Sequence, residues 1–323
     1  MDVEEIKDAK HILNGRRFKS VLFTIFLSII GYFLFTLWGG WNNVVEAVTS
    51  VGVFGIGLAL VLSLINFGLR FLRWLFFLAT LGYRIPFLSG WRIYMSGFSL
   101  TTTPGKTGEA IRGVFVKDYG VPFRKSLGVF FSERLSDLIS VSLLASTGLW
   151  IYPQARPVLL VVALVYGFLL LAVQKDSWIR FFEAFARRRL PERFAHGIEF
   201  CLEMIFAFRA CFRGKALLVS LTLGVIAWIS EALALYYFLY VLGYHVSLLT
   251  AIFIYGFSLV IGGITLLPGG LGGAEFTMLQ LLMLNDVPAS AAVAVTLVVR
   301  LTTLWFSVFL GFLSLPKNLF IKE

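Results

Sequence analysis

Residues 101–110 read TTTPGKTGEA, and residues 265–274 read TLLPGGLGGA. The pattern Thr-x-x-Pro-Gly-x-x-Gly-x-Ala therefore occurs twice, starting once at Thr101 and once at Thr265. Two dipeptides repeat in the same order, Val121-Pro122 as Val287-Pro288 and Arg134-Leu135 as Arg300-Leu301. Several matches in one order predict an internal repeat, in which two halves of the chain share one architecture.

The composition around these motifs is that of an integral membrane protein. Of 323 residues, 59% are apolar and 14% are charged, and the mean hydropathy is +0.87. Soluble domains are near half apolar and a quarter charged. Apolar stretches such as 21–41 and 51–68 have about 20 residues, which matches the ~30 Å hydrocarbon core of a bilayer. The formal charge of +10 does not indicate nucleic-acid binding, because the basic residues cluster in a few segments.

Several kinds of functional site are not indicated. Cys201 and Cys211 are ten residues apart without a C-x-x-C partner, and the three histidines are scattered. We therefore expect no disulfide framework, no metal site and no cofactor. The sequence Gly105-Lys106-Thr107 lacks the leading glycine of a nucleotide-binding loop, because Leu100 occupies that position.

Embedded segments follow from the apolar pattern. They are predicted at about 21–41, 51–81, 89–118, 126–152, 157–174, 215–242, 248–285 and 288–315. The Pro-Gly motifs interrupt 89–118 and 248–285, so we interpret both as re-entrant hairpins whose two half-helices meet at a tip inside the membrane. The predicted fold class is an all-α polytopic membrane protein, with about six transmembrane helices plus two re-entrant hairpins in an inverted-topology repeat.

The positive-inside rule orients this topology. The predicted outside loops hold one basic residue, Arg156, and lie at about 42–50, 153–156, 243–247 and 286–287. The prediction is a multi-pass protein of the cell membrane with cytoplasmic N- and C-termini. The first repeat would be residues 1–174, and the core of the second would be 215–323, joined by a cytoplasmic linker at 175–214. A second hairpin that crosses twice would also leave the C-terminus inside, so charge alone leaves that alternative open.

The linker has an apolar stripe of its own. Apolar side chains recur there at three- and four-residue spacing, at Phe194, Ile198, Cys201, Ile205 and Phe208. This spacing predicts an amphipathic helix that lies under the bundle at the membrane interface. The alternative is a solvated segment that only carries topology charge.

Charged residues in embedded segments cost roughly 2.5–3.5 kcal/mol each on insertion scales, and therefore indicate function or pairing. Arg134 and Asp137 are one turn apart and are able to pair on their own helix. Arg300, the repeat mate of Arg134, has no acid within a turn of its own helix. Its partner should be a ligand anion or one of the acids Glu133, Glu231 and Glu275.

Two symmetry-related arginines that face a common centre predict an anion site, because a guanidinium keeps its charge at any ordinary pH. The alternative is an interhelical salt bridge that holds the halves together. Arg70 and Arg73 are predicted to extend from the second segment toward cytoplasmic water, or to line the entrance of the central site.

The Pro-Gly tips have chemistry of their own. Proline removes a backbone donor and glycine allows positive φ, so the chain turns and the next helix exposes N–H groups that attract anions. The predicted tip residues are Pro104, Gly105, Gly108, Pro268, Gly269, Gly270, Gly272 and Gly273. The first tip is polar and should bind substrate, whereas the second should pack closely or slide. Packing turns in both halves are the alternative.

These patterns assign candidate roles to individual residues. The predicted substrate-binding residues are Arg134, Arg300, Thr103, Lys106, Thr107 and Arg112. The residues predicted to balance charge or to couple transport to protons are Glu133, Asp137, Glu231, Glu275 and Glu109.

The motifs resemble those of the lysylphosphatidylglycerol synthase transmembrane-region family, also called flippase-like or UPF0104 proteins. The resemblance rests on P-G-x-x-G-E-A at 104–110 with Arg112-Gly113, on E-R-x-x-D at 133–137, and on L-P-G-G-x-G-x-x-E at 267–275. It covers most of the chain and implies a lipid-translocating domain, which is sometimes fused to an aminoacyl-phospholipid synthase or a glycosyltransferase. Because the sequence ends at Glu323, soon after the last predicted helix, we do not expect the synthase activity.

Together these features predict a lipid transporter of flippase or scramblase type. It would move an anionic or phosphate-bearing lipid or glycolipid headgroup across the membrane, without nucleotide hydrolysis and without being an enzyme. Its predicted partner is the lipid substrate, not nucleic acid. Two alternatives stay open: a membrane-embedded lipid or polyprenyl-phosphate transferase, and a non-catalytic membrane partner of a separate glycosyltransferase or lipid synthase.

Overall fold

The computed structural model describes residues 37, 40–175, 195–265, 267, 270 and 272–315, and within them the regular structure is entirely helical. The helices are α1 (Trp41–Thr80), α2 (Phe87–Phe98), α3 (Phe123–Ser146), α4 (Arg156–Gln174), α5 (Ala195–Cys211), α6 (Lys215–Val241), α7 (Leu248–Ile264), α8 (Gly273–Met283), α9 (Ala289–Arg300) and α10 (Phe306–Leu313). Short helical turns lie at Pro104–Ile111, Arg112–Phe115, Val116–Tyr119 and Pro153–Ala155, and a π-helical turn, Leu301–Trp305, joins α9 to α10. The predicted segment 21–41 lies almost wholly outside the described residues, as do Phe194, Pro268 and Gly269.

Membrane-spanning length is reached in several places. In the described part of the chain, the helical segments long and apolar enough to cross a bilayer are Val44–Thr80, Pro153–Gln174, Lys215–Val241 and Ala289–Leu313. They coincide with four of the predicted crossings. Helix α3 has 24 residues, about 36 Å at 1.5 Å per residue, and is also long enough, although it carries Glu133, Arg134 and Asp137. The chain is a multi-pass helical membrane protein.

The first predicted outside loop, at about 42–50, is wrong. Helix α1 begins at Trp41 and runs through this segment for a total of 40 residues. The interruption lies instead at Gly52, whose φ of 66° and ψ of 174° are not helical. Glycine adopts a positive φ without the steric cost that a Cβ brings, so the chain bends there inside an otherwise continuous helix.

The helices on either side of the second motif are too short to span a bilayer, which takes about 20 residues. Helix α7 has 17 residues and α8 has 11, and the two pack against each other. Their contact is close at Gly262, where a Cβ would lie 2.8 Å from the Cβ of Ala274.

The first motif follows a short helix as well, since α2 has 12 residues. After the motif, the predicted half-helix is wrong in form, because the chain makes a series of short helical turns. Gly108 and Gly113 lie in these turns, and glycine is a poor helix former. The turns pack on α2 at Gly97, where a Cβ would lie 2.8 Å from Cδ of Arg112.

Helix α5 occupies the segment for which an amphipathic helix is predicted. It packs on α3, and a Cβ on Gly128 would lie 2.6 Å from the Cβ of Ala207. Cys211 is buried on this helix, whereas Cys201, predicted on the apolar face, is exposed. Burial raises the pKa of the Cys211 thiol to about 12, so this thiol stays protonated near neutral pH.

Candidate functional site

A cavity of about 330 Å³ lies between the parts of the chain that carry the two motifs. This volume is at the lower end of the range for small-molecule pockets, roughly 300–1,000 Å³. The charged residues of the wall are Arg70, Lys106, Arg134, Asp137, Glu231 and Arg300. Aromatic and aliphatic side chains complete it, among them Phe98, Trp228 and Leu259. The cavity therefore has room for a polar group and charges to bind it.

Asp137 on α3 forms ion pairs with three arginines. Its carboxylate lies 2.6 Å from Nη2 of Arg73, 3.2 Å from Nη2 of Arg70 and 3.3 Å from Nη2 of Arg134. The indole N–H of Trp228 donates to the same carboxylate at 3.3 Å. The prediction that Arg70 and Arg73 extend toward water is wrong, since they are only 4% and 0% exposed. Pairing with Asp137 offsets the cost of burying their charge.

A second cluster joins the first tip to α3. The guanidinium of Arg112 makes two hydrogen bonds to the carboxylate of Glu133, at 2.9 and 3.3 Å, and lies 4.6 Å from the centre of the Tyr94 ring. Its Nη2 is also 3.6 Å from Glu109. Glu109 in turn accepts a hydrogen bond of 2.7 Å from the hydroxyl of Thr101. Fork-to-fork bonding of this kind fixes the position of the first tip against α3.

Both halves contain the same glutamate–arginine contact. Arg134 Nη2 lies 3.4 Å from Glu109 Oε2, and Arg300 Nε lies 2.5 Å from Glu275 Oε1. The sequence separation of glutamate and arginine is the same in both pairs, and the spacing from the first pair to the second equals that from Val121 to Val287. This correspondence supports the internal repeat predicted from the motifs.

The two tips also match in backbone conformation. Lys106 and Gly270 are the third residues of the two Pro-Gly motifs, and both have positive φ, 56° and 71°. Glycine takes this conformation freely, whereas a lysine in it costs on the order of 1–3 kcal/mol. Strain of this kind at a non-glycine residue is frequent at functional sites.

The environment of Lys106 has a surplus of positive charge. The lysine lines the cavity, and its Nζ is 6.0 Å from the centre of the Trp228 ring. Within the described residues, no carboxylate lies within 4 Å of this ammonium group. Arg134 lines the same cavity, and its Nη2 lies 3.3 Å from Asp137 and 3.4 Å from Glu109. The cavity therefore presents an ammonium group that no described carboxylate neutralises at close range, next to a guanidinium.

Arg300 reaches the second tip through Glu275. While Oε1 of Glu275 accepts from Arg300, its Oε2 accepts the backbone N–H of Gly272 at 2.7 Å. This bond caps the N-terminus of α8. Arg300 both lines the cavity and holds the carboxylate that caps the second tip.

Glu231 on α6 has a partner of a different kind. Its Oε2 accepts a short hydrogen bond from the hydroxyl of Tyr255 on α7. Both side chains are buried, and both line the cavity.

Comparison with known proteins identifies the family to which the chain belongs. The family described as "Lysylphosphatidylglycerol synthase TM region" matches residues 21–311. The chain belongs to this family. A UPF0104 membrane protein of Methanothermobacter thermautotrophicus is 26% identical to it, over 88% of this chain and 90% of its own length. UPF0104 membrane proteins of Pyrococcus horikoshii and Methanocaldococcus jannaschii are 22% and 23% identical, over 90% and 91% of this chain and 96% and 92% of their own lengths.

Not every residue predicted to bind substrate lies at the cavity of this lysylphosphatidylglycerol synthase TM-region protein. Arg112 is not part of its wall, because Glu133 and the Tyr94 ring hold the guanidinium elsewhere. Thr103 closes the turn at the first tip, where its hydroxyl accepts the N–H of Gly108 at 2.7 Å and donates to a carbonyl. The side chain of Thr107 lies outside the described part of the structure.

Sequence reasoning missed three residues of this site: Tyr94, Trp228 and Tyr255. An aromatic residue on an apolar helix has no distinctive signal, because such residues are common in membrane proteins. One signal was available. Trp228 precedes the embedded acid Glu231 by three residues and must therefore share its helix face.

Proposed function

We propose that this protein moves a lipid with an anionic, phosphate-bearing headgroup across the membrane, as a flippase or scramblase that does not hydrolyse nucleotides. The observation that carries the proposal is the pair of cations at the cavity. Lys106 has no carboxylate within 4 Å among the described residues, and Arg134, which lines the same cavity, is 18% exposed while it pairs with Glu109 and Asp137. Phosphate oxygens are strong acceptors for both groups, so the headgroup binds between them.

The charge balance around the first tip supports an anionic headgroup. Its five cations are Arg70, Arg73, Lys106, Arg112 and Arg134, and its three acids are Glu109, Glu133 and Asp137. A buried surplus of positive charge is costly, and a bound anion offsets it. A cationic headgroup would increase the cost.

The lipid tails leave the cavity on its apolar side. Ile264 and Leu267 line the cavity near the second tip and are 50% and 47% exposed. Gly263 lies beside them, and a Cβ there would meet no atom within 4 Å. A cavity of about 330 Å³ holds a headgroup but not a whole lipid, so the tails stay in hydrocarbon while the headgroup moves.

The topology that we propose has about six crossings and two re-entrant hairpins that enter from opposite faces, in a cell membrane with both termini cytoplasmic. The matched Glu–Arg pairs and the matched positive φ values of the tips support two related halves. Inverted halves of this kind place a central site at the midplane, where each leaflet gains access in turn.

We further propose that the protein is not an enzyme. A metal-dependent transferase would need a pair of carboxylates free to bind a cation, and Glu133 with Asp137 is the closest embedded pair predicted. Glu133 is bonded to Arg112, and Asp137 lies within 3.3 Å of three arginines. These contacts favour transport over the transferase, because a carboxylate already held by arginine is a poor metal ligand.

The test is lipid translocation by purified protein in liposomes, with lipids that differ only in the headgroup. Lys106→Gln should reduce the translocation rate of anionic lipids by tenfold or more, about 1.4 kcal/mol or more of lost binding to the phosphate. Lys215→Gln is the matched control, because Lys215 is exposed at the start of α6 and should be as active as wild type. Wild-type protein that moves no anionic lipid would refute the proposal.

Mass spectrometry of the lipids should show no covalent change, and a new species lost in Glu133→Gln would favour the transferase.

A further inference from the structure

The five acidic residues around the cavity differ in their partners. Four of them lie within 4 Å of an arginine: Glu109, Glu133, Asp137 and Glu275. Glu231 has no cation within that distance among the described residues, and its partner is the Tyr255 hydroxyl. Glu231 therefore lacks the arginine that holds each of the other acids in its charged form.

Charged and titratable groups face Glu231 from five other parts of the chain. They are Arg70 on α1, Lys106 at the first tip, Arg134 and Asp137 on α3, Tyr255 on α7 and Arg300 at the end of α9. The three arginines of this set each contact another carboxylate. Lys106 is the cation of this set that has no carboxylate within 4 Å among the described residues.

The hydrogen bond to Tyr255 is compatible with both protonation states of Glu231. The phenol donates to a carboxylate, and its oxygen accepts from a carboxylic acid after a rotation of the hydroxyl. One hydrogen bond between the two side chains is therefore kept when Glu231 gains or loses a proton. An arginine partner would not allow this, because a protonated acid loses the ion pair.

We propose that Glu231 carries one proton with each anionic headgroup, so that the protein is a proton–lipid symporter. The inference rests on the lipid transport proposed above. A phosphate held by Lys106 and Arg134 brings negative charge into the cavity that Glu231 lines, where low dielectric strengthens repulsion. Proton uptake by Glu231 removes the repulsion. By linkage, the anion and the proton then strengthen each other's binding by the same factor.

In each cycle Glu231 takes a proton from the aqueous face where the headgroup binds and releases it at the face where the headgroup leaves. The cargo is one anion plus one proton, so a phosphodiester lipid crosses without net charge. Transport is then driven by a pH gradient and is unaffected by the membrane potential.

The experiment uses proteoliposomes with phosphatidylglycerol that carries a fluorescent label on one acyl chain, since the charge of its phosphodiester is constant near neutral pH. A gradient of about one pH unit is imposed, acidic outside, and the potential is clamped at zero with potassium and valinomycin. The label should accumulate up to about tenfold in the inner leaflet, the ratio that one pH unit sets for one proton per lipid. A protonophore should return the ratio to one.

Glu231→Gln should still exchange lipid between leaflets, because the amide imitates the protonated acid, but the leaflet ratio should stay at one. Glu199→Gln is the matched control, since Glu199 is exposed on α5, and should accumulate label as wild type does. A second measurement needs no variant: a gradient of the lipid alone should acidify the lumen, as read by an enclosed pH dye.

Each outcome bears on a different claim. Wild-type exchange with a leaflet ratio of one under the pH gradient overturns the coupling and leaves lipid transport standing. Accumulation by Glu231→Gln equal to that of wild type removes Glu231 as the proton carrier. Wild-type protein that exchanges no lipid overturns both the coupling and the transport on which it rests.

Discussion

The two halves of the molecule share one ion pair and differ in nearly everything around it. Glu109 with Arg134 in the first half corresponds to Glu275 with Arg300 in the second. In the first half, further charged residues surround the pair, namely Arg70, Arg73, Arg112, Glu133 and Asp137. In the second half, the positions that correspond to Arg112, Glu133 and Asp137 at the same spacing hold Met278, Val299 and Thr303.

The two halves therefore share the ion pair that holds each tip, but they do not share the charged residues around that pair. One buried ion pair is enough to anchor each tip to the helix that follows it. Every further buried charge needs a partner, because an unpaired one is costly in the membrane interior. The dense network of the first half is therefore expected where a charged ligand binds. The second half has close packing at its tip, where a Cβ on Gly262 would lie 2.8 Å from the Cβ of Ala274, and in the proposed transport it would provide the apolar exit for the lipid tails.

The largest expected effect is a difference in stability loss between substitutions of Asp137 and of Thr303, the residue at the equivalent position in the second half. Asp137→Ala leaves three arginines without their shared carboxylate, and the free energy of unfolding should fall by about 3–5 kcal/mol. Thr303→Val removes one hydroxyl from the equivalent position and should cost about 1 kcal/mol. Denaturant titration in detergent measures both. Similar losses for the two variants would contradict the contrast between the halves.

An intermediate effect is expected when Arg134 and Arg300 are replaced one at a time, because only the second replacement should lower stability markedly. Arg134→Gln should abolish translocation with little loss of stability, because Asp137 keeps Arg70 and Arg73. Arg300→Gln should lower stability and translocation together, because it releases the carboxylate that caps α8.

Double variants sharpen this comparison. Adding Glu275→Gln to Arg300→Gln should restore stability and much of the translocation, because an amide oxygen still accepts the N–H of Gly272. Adding Glu109→Gln to Arg134→Gln should restore no translocation if Arg134 binds the headgroup, as we propose. Headgroup translocation and thermal stability are measured side by side, and recovery in both double variants would remove Arg134 from the anion site.

The sequence predicted the components of the site better than their connections. The repeated motifs and the charged residues within apolar segments located both tips and the paired arginines. They also located the five acidic residues around the cavity. It did not find that Arg70 and Arg73 contact Asp137, which follows them by 67 and 64 residues. Partner choice between helices depends on how each helix is rotated and packed, and one sequence carries no signal for that rotation.

The fold shows the same division. Hydropathy located four of the spans that the structure contains, because the length of an apolar run is a strong signal. It missed the continuity of α1 through 42–50 and the bend at Gly52. A single glycine in an apolar run is compatible with either a straight or a bent helix, so only packing decides between them.

The smallest expected effect concerns the matched tip positions, Lys106 and Gly270, and it has opposite signs in the two halves. Lys106→Gly removes a strained positive φ, so stability should be unchanged or should rise by up to about 1 kcal/mol while translocation is lost. Gly270→Ala introduces the same strain, and its Cβ would lie 3.3 Å from the carbonyl oxygen of Gly262. That variant should lose about 1 kcal/mol or more. Thermal unfolding of both variants measures the signs. A stability loss in Lys106→Gly would mean that the lysine holds the tip together, and its strained conformation would then need no substrate to explain it.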